Sequence, residues 1–307
     1  MADLKEPVPV LVERRFPLKL SEAVPALRKL YHESKSDRWD PRRDVPWDRL
    51  DTARLTPEQR AAGAATWRRR AWVEGTALIE TPALVVRFCM EIGREAETHM
   101  FLTVRNTEEA WQVESCDMLA RALAGEGARP PARPSTDAYA AVFNRSSHRT
   151  AFDSRVSLDA QIVATCLFED ALERDLAVLH RQNAQDPAIA AVLDRMIAAK
   201  TRHAEFGRIY SAHRAPGWTQ AEKAEIAERL GQHVRDVEFA GYHLPCLSSS
   251  AAAEAAADAA SATAGLGAAT PQAEGAVLGK VLAATRTFLD GYGVKLERLS
   301  HKALGEI

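Results

Sequence analysis

The stretch Ala198-Ala-Lys-Thr-Arg-His-Ala-Glu-Phe-Gly207 decides the fold of this chain. Residues three apart in a helix share one face, so Lys200 and His203 project to the same side. A carboxylate and an imidazole at this spacing can bind one metal ion together. Neither Glu-x-x-His nor Asp-x-x-His occurs in the sequence, and Lys200-x-x-His203 is one of its two nearest matches.

The other near match, Glu109-x-x-Gln112, lies in the stretch Glu108-Glu-Ala-Trp-Gln-Val-Glu-Ser-Cys116. Both stretches resemble the metal-binding helices of ferritin-like di-iron proteins. In that bundle two helices supply one Glu each, and two supply a Glu-x-x-His pair each. Glu-Ala-Trp-Gln-Val-Glu is similar to the usual Glu-Ala-Arg-His-Val-Glu, and Thr-Arg-His-Ala-Glu-Phe-Gly is similar to Ala-Arg-His-Ala-Arg-Phe-Gly.

The resemblance covers roughly residues 37–245. Within the ferritin-like superfamily, the proteins resembled are the non-haem di-iron carboxylate oxygenases and the small subunits of ribonucleotide reductase. The resemblance implies an all-α protein, a ferritin-like four-helix bundle with extra helices. Beyond the resemblance, the residue pattern itself predicts a low-complexity linker followed by a C-terminal helix. Strand signals are nearly absent from the sequence, in agreement with this fold class.

The resemblance also assigns roles to four residues. Glu109 takes the place of the bridging Glu of the second helix, and Gln112 takes the place of its His. Lys200 takes the place of the bridging Glu of the fourth helix, and His203 keeps the final His. Two of the usual ligands are therefore replaced, and the predicted metal site is degenerate.

The remaining acids of the site are predicted by the same resemblance. The third helix supplies Glu169, with Asp170 as the alternative register, and the first helix supplies Glu74 or Glu80. The predicted metal ligands are thus Glu74, Glu80, Glu109, Gln112, Glu169 and His203. The predicted catalytic residues are Lys200, Glu109 and Glu169.

The substituted residues change the expected chemistry. Gln binds iron poorly compared with a neutral imidazole, and a protonated Lys has no lone pair and repels a cation. We therefore expect Lys200 to replace metal charge among Glu109, Glu169 and the first-helix acid. The excess negative charge is offset either by protonation of one carboxyl group or by an ion held by two acids and His203. Whether Lys200 reacts or only compensates charge stays open.

Three functions remain in competition. The first is a degenerate homologue of the di-iron oxygenases, acting as a pseudoenzyme or through a metal-free, repurposed pocket. The second is a non-haem oxygenase or oxidase in a biosynthetic pathway, with a mononuclear or atypical site at Glu109, Glu169 and His203. The third is a helical interaction module. If the chain is an enzyme, we expect an oxidoreductase that acts on a small molecule in the bundle core. Its metal content ranges from none to one iron or other divalent ion.

Composition limits the partners. The chain has 307 residues, 46% hydrophobic and 27% charged, with a net charge of −2, which does not indicate binding to nucleic acid or a membrane surface. Four scattered cysteines give no structural zinc or disulfide pattern. Without a signal-peptide pattern or an apolar run of membrane-spanning length, we expect a cytoplasmic protein. The family resemblance favours a homodimer.

Four segments are predicted along the chain. Residues 1–55 form an N-terminal arm with a short helix, and residues 56–245 form the bundle, which begins with Thr56 as a helix cap. The bundle includes a long helix from residue 66, interrupted at Pro82, and a crossover at 128–153. Residues 246–274 read as a mobile Ala/Ser-rich linker, and 275–307 as a C-terminal helix that docks on the bundle.

Overall fold

Four long helical rods build the core of the molecule. The structure, a computed structural model, describes residues 23–91, 94–125, 142–143 and 151–307. Helix α1 (Pro25–Ser36) precedes the first two rods, which are α2 (Pro57–Met90) and α3 (Ala96–Ala124). The third rod joins α4 (Leu158–Ile162), a first π-helical segment (Val163–Glu169) and α5 (Asp170–Gln182). The fourth rod is α6 (Pro187–Arg214).

These rods pack as a four-helix bundle. Helix α2 lies along α3, the third rod lies along α6, and α3 also contacts α6. Gly207 of α6 allows a close approach to the third rod, because a Cβ atom there would lie 2.1 Å from the backbone oxygen of Cys166. The predicted all-α bundle is confirmed.

The start of α2 follows the sequence signal closely. The Thr56 side chain accepts a hydrogen bond from the Gln59 backbone N–H, and the Gln59 side chain accepts one from the Thr56 N–H. Helix α2 runs unbroken from Pro57 and continues through Pro82, so the predicted start at residue 66 and the predicted interruption at Pro82 are both wrong. Packing along α3 compensates for the cost of a proline in a helix interior, about 3 kcal/mol.

The chain after α6 covers one side of the bundle. It contains α7 (Gln220–His233), a second π-helical segment (Val234–Glu238), α8 (Ala252–Thr263) and α9 (Pro271–Asp290). A short antiparallel hairpin pairs β1 (Ser300–His301) with β2 (Gly305–Glu306).

The predicted linker at 246–274 and the end of the predicted C-terminal helix need correction. The alanine-rich segment folds as α8, because alanine has the highest intrinsic helix propensity. Asp258 of α8 accepts hydrogen bonds from Thr66 and Arg69 of α2 at 2.7 Å each. The C-terminal helix begins at Pro271 and ends at Asp290, and Leu278, Leu282 and Leu289 are buried in the core.

Some predictions fall beyond the described part of the chain. Residues 1–20 of the predicted arm lie outside it, and so does nearly all of the predicted crossover at 128–153. The described part of the arm packs on the bundle, with Trp39 buried and its ring 6.2 Å from that of Trp111. Within the described ranges, no helix combines the length and apolar character needed to cross a membrane.

Candidate functional site

Lys200 lies at the centre of the bundle and bridges two rods. Its ammonium Nζ is 2.8 Å from Glu74 Oε2 on α2 and 2.6 Å from Glu173 Oε2 on α5, and the residue is only 1% exposed. Burial disfavours the charged form of the lysine, but Glu173 and Glu74 outweigh it and raise the pKa of Lys200 above its usual range. Lys200 is therefore a buried ammonium.

The two carboxyl groups around Lys200 are not equivalent. Burial raises the pKa of Glu74, and the neighbouring charge of Glu173 adds to the rise, although Lys200 opposes it. For Glu173 burial also opposes ionisation, but Lys200 and His243 prevail and lower its pKa. Glu173 is thus the ionised partner of Lys200, and a shared proton is more easily accepted by Glu74.

Arg105 of α3 is a second buried cation in the same centre. Its Nε lies 2.8 Å from Glu109 Oε1, and its Nη2 lies 2.9 Å from Asp170 Oδ1. The Thr81 hydroxyl donates a further hydrogen bond to Glu109 Oε1 at 2.9 Å. Burial raises the pKa of Glu109 to about 7, with Arg105 and Thr81 opposing the rise.

The His203 ring is oriented by a hydrogen bond to Glu108. Its Nε2 lies 2.9 Å from Glu108 Oε2, and Glu108 also pairs with Arg202. Burial opposes ionisation of Glu108, but His203 and Arg202 keep its pKa below its usual value. Burial lowers the pKa of His203 to about 4, so the ring is neutral at pH 7. Because an ionised carboxylate only accepts, Nε2 carries the proton and Nδ1 keeps its lone pair.

Three buried polar groups near these pairs have no hydrogen-bond partner among the described residues. They are Glu109 Oε2, both amide atoms of Gln112, and His203 Nδ1. Glu109 and His203 are fully buried and Gln112 is 1% exposed. Buried polar atoms are normally satisfied, so each of these groups calls for a water molecule or a ligand atom as its partner.

The third rod places its acids differently from the prediction. Glu173, one turn after Glu169, contacts Lys200, while Glu169 Oε2 lies 3.1 Å from His233 Nε2. The alternative residue, Asp170, contacts Arg105. A π-helical segment that ends at Glu169 causes the difference, because its wider turn rotates the residues that follow. On α2 the acid that reaches Lys200 is Glu74, whereas Glu80 is half-buried.

A second polar cluster lies on the side of Glu169 and Glu173. It adds His233 from the end of α7, Glu238 from the second π-helical segment, and His243 from the following loop. His233 Nε2 is 3.1 Å from Glu169 Oε2 and 3.8 Å from Glu238 Oε1. We call these five residues the acid–imidazole cluster.

His243 links this cluster to Lys200. Its Nδ1 lies 2.9 Å from Glu238 Oε2, and its Nε2 lies 3.1 Å from Glu173 Oε1. Burial disfavours the charged ring, but Glu238 and Glu173 outweigh it and raise the pKa of His243 to about 10. His243 is therefore an imidazolium when no metal ion is present, in contrast to the neutral His203.

Comparisons with known proteins agree on the fold. The sequence matches no protein-family model and no curated protein. It is similar in structure to an R2-like ligand-binding oxidase with an aerobically reconstituted metal cofactor after photoconversion, with a TM-score of 0.68 and 15% identity, covering 88% of this chain and 94% of that chain. The R2-like ligand-binding oxidase from Sulfolobus acidocaldarius gives a TM-score of 0.65 at 14% identity, with 91% and 95% covered. The chain has the ferritin-like fold.

A third similar structure is that of an R2-like ligand-binding oxidase with an aerobically reconstituted Mn/Fe cofactor after a long soak. Its TM-score is 0.64 at 16% identity, with 91% of this chain and 96% of that chain covered. Because the sequence identities are this low, the structural similarity establishes a common fold alone. The metal content of this ferritin-like chain has to be judged from its own residues.

The residues at the four-helix centre do not fit the two-metal cofactor of ferritin-like oxidases. Such a cofactor uses carboxylates from the four helices as ligands. Here Glu74 and Glu173 hold the ammonium of Lys200, while Glu109 and Asp170 hold the guanidinium of Arg105. Each of these carboxylates already has at least one oxygen paired with a cation of the chain, and these cations repel further positive charge.

A small cavity of about 50 Å³ lies beside Lys200 in this ferritin-like bundle. Its wall combines Glu74, Glu173 and Arg70 with the apolar side chains of Leu193 and Met196. A cavity of this size has room for a few waters or a small polar molecule.

Two features of the site were missed by the sequence interpretation. Arg105 lies four residues before Glu109, and this i, i+4 spacing was a signal for an ion pair within α3. His233, Glu238 and His243 come from the segment after the four rods, and only the folded structure brings them against Glu169. No sequence spacing could have indicated that contact.

Proposed function

We propose that this chain is a ferritin-like protein whose four-helix centre works without a two-metal cofactor and offers a repurposed polar pocket to a small molecule. The observation that carries the proposal is the position of Lys200. Its Nζ lies between Glu74 and Glu173 at 2.8 and 2.6 Å, where a charge of the opposite sign to the carboxylates is required. The lysine supplies that charge from the chain itself.

The unpartnered groups, which do not line the cavity beside Lys200, support binding of a polar ligand at the four-helix centre. Glu109 Oε2 and His203 Nδ1 are acceptors, and the Gln112 amide both donates and accepts. Leaving such groups buried without partners costs roughly 1–3 kcal/mol each. A small molecule with both donor and acceptor groups would satisfy them. The ligand class we propose is therefore a small, polar, hydrogen-bonding compound.

A second candidate function, a non-haem oxygenase with one metal, has one observation in its favour. His203 donates Nε2–H to Glu108 and directs a lone pair on Nδ1 inward, as metal-binding histidines do. Against it, Glu169, which the sequence assigned to that site, lies against His233 instead. The metal-free pocket explains why two buried cations, Lys200 and Arg105, lie among the acids of the centre, and the oxygenase does not.

Non-denaturing mass spectrometry after anaerobic loading with Mn²⁺ and Fe²⁺ tests the proposal. We expect the wild-type chain and the Glu109→Gln variant to carry the same metal mass, because Glu109 holds Arg105 rather than an ion. A two-ion species that disappears in Glu109→Gln would refute the proposal. A one-ion species that is lost in His203→Ala would favour the oxygenase.

A further inference from the structure

We propose that Glu169, His233 and Glu238 form a binding site for one divalent transition-metal ion, separate from the four-helix centre. One nitrogen or oxygen atom of each lies within 4.8 Å of the other two. Two of the three residues belong to the segment after α6, which lies outside the four rods. The site therefore goes beyond the pocket proposed for the bundle.

The spacing of the donor atoms fits a metal ion. Ions of this class bind oxygen and nitrogen at about 2.0–2.2 Å, so neighbouring ligand atoms stand roughly 3.0–3.6 Å apart. His233 Nε2 is 3.1 Å from Glu169 Oε2 and 3.8 Å from Glu238 Oε1. Small side-chain rotations would complete the coordination.

The ring nitrogen of His233 supplies an independent observation. The His233 side chain is 4% exposed, and its Nε2 makes no hydrogen bond with the described residues despite the short distance to Glu169. A buried imidazole nitrogen without a hydrogen bond is costly. An ion placed between the two carboxylates would give that nitrogen its partner.

Local backbone geometry brings the three residues together. Glu169 ends the first π-helical segment, while His233 precedes the second and Glu238 ends it. The Asp170 N–H donates to Thr165 O, and the Phe239 N–H donates to Val234 O, both five residues apart. π-Turns are rare and occur frequently at functional sites. Here each of the two carboxylates, Glu169 and Glu238, lies at the end of a π-helical segment.

An outer set of contacts fixes the ligands. His243 Nδ1 holds Glu238 at 2.9 Å, and its Nε2 contacts Glu173, which in turn holds Lys200. Hydrogen-bonded partners of this kind orient metal ligands and are needed for full affinity. Glu169, Glu173 and His243 also lie within 4.8 Å of one another, but Lys200 on Glu173 opposes a cation there.

The donor set indicates which ions would bind. Two carboxylates and one imidazole, without a thiolate, suit Mn²⁺, Fe²⁺, Co²⁺ or Zn²⁺. Three protein ligands leave positions open for water or another small ligand. We take Co²⁺ as the probe, because its visible absorption reports nitrogen and oxygen coordination directly.

Anaerobic titration of the full-length chain with Co²⁺ tests the inference. We expect one Co²⁺ per chain, and affinity at least about 10-fold weaker in Glu238→Gln and in His233→Ala. Glu238→Gln keeps the shape of the side chain, so it remains informative if His233→Ala fails to fold. His180→Asn, which removes a buried histidine paired with Glu274, is the matched control and should leave the affinity unchanged.

Two results would overturn the inference. One is the absence of Co²⁺ binding, and the other is binding that Glu238→Gln and His233→Ala leave intact. The proposed function fails separately, because it predicts that Glu109→Gln has no effect on any bound ion. Co²⁺ binding that is lost in Glu109→Gln alone would refute both the metal site and the proposed function. Absence of Co²⁺ binding in the wild type would refute only the metal site.

Discussion

The four-helix centre and the acid–imidazole cluster use the same residue types in opposite ways. In the centre, Lys200 and Arg105 neutralise the acids, and His203 is neutral. In the cluster the cation is a histidine, because His243 is protonated between Glu238 and Glu173. A lysine or arginine cannot give up its place to a metal ion at neutral pH, whereas a histidine can lose its proton and become a ligand.

This contrast separates two kinds of buried cation in one ferritin-like bundle. Lys200 and Arg105 lie at the four-helix centre and keep their charge at neutral pH. His243 lies on the other side of Glu173, in the cluster that contains His233 and Glu169. Glu173 connects the two regions, since one of its oxygens holds Lys200 and the other contacts His243.

Removing the charge of Lys200 should have the largest effect. Lys200→Met leaves Glu74 and Glu173 buried without their cation, so we expect a loss of about 3–5 kcal/mol in the free energy of unfolding. Urea unfolding at pH 7 measures it. Adding Glu74→Gln to that variant should recover part of the loss. A loss below about 1 kcal/mol would mean that Lys200 does not stabilise the centre.

The two histidines should respond to pH in opposite directions in chelator-treated protein. His203 has a pKa of about 4 when folded, below its unfolded value of 6.5, so its contribution to stability is present above pH 6.5 and lost as pH falls toward 4. His243 has a folded pKa of about 10, so its contribution is full below pH 6.5 and lost as pH rises through 10.

Urea midpoints at pH 5, 7 and 9 for wild type, His203→Asn and His243→Asn measure this difference. We expect each variant to flatten one side of the plot of unfolding free energy against pH, where the wild type changes by on the order of 2–3 kcal/mol. The acid side should flatten in His203→Asn and the alkaline side in His243→Asn. Flattening of the same side in both would contradict the opposite charge states.

Gly207 tests the shape of the first π-helical segment. A Cβ atom there would lie 2.1 Å from the Cys166 backbone oxygen, so Gly207→Ala must move backbone and should cost about 1–3 kcal/mol in unfolding free energy. Gly75→Ala is the matched control. Nothing lies within 4 Å of a Cβ at that helical position, and we expect a gain of about 0.5–1 kcal/mol. Equal effects of the two changes would argue against a tight contact.

The smallest predicted effect concerns Gln112. Its amide is buried without a partner among the described residues, so Gln112→Met should stabilise the chain by roughly 1 kcal/mol in thermal or urea unfolding. Gln161→Met should do the opposite, because the Gln161 side chain accepts a hydrogen bond from Arg229. Destabilisation by Gln112→Met would show that the amide is satisfied in the pocket.

Much of the fold could be predicted from the sequence. Helix caps are local signals, and the Thr56 cap of α2 was identified correctly because its partners lie within three residues. The all-α class followed from two motif-bearing helices. Composition misled the interpretation of α8, where a run of alanines reads as low complexity but forms a helix that Asp258 ties to Arg69.

The site was predictable only in part. The sequence singled out Lys200 and left the first-helix acid open between Glu74 and Glu80, and the structure places Glu74 2.8 Å from Lys200. It also expected Glu169 beside Lys200, whereas the structure has Glu173 at 2.6 Å from Lys200 and Glu169 at 3.1 Å from His233. The π-helical segment that ends at Glu169 has no signature in residue type that would have shown this shift. Long-range contacts such as His233 with Glu169 need the fold itself.

Elemental analysis after anaerobic ferrous loading tests the central claim most directly, with wild type and His203→Ala compared side by side. The account predicts the same metal count in both chains, at most one ion each, because Lys200 and Arg105 neutralise the four-helix centre and any ion lies at Glu169 and His233. Two ions per chain in the wild type, falling in His203→Ala, would contradict it.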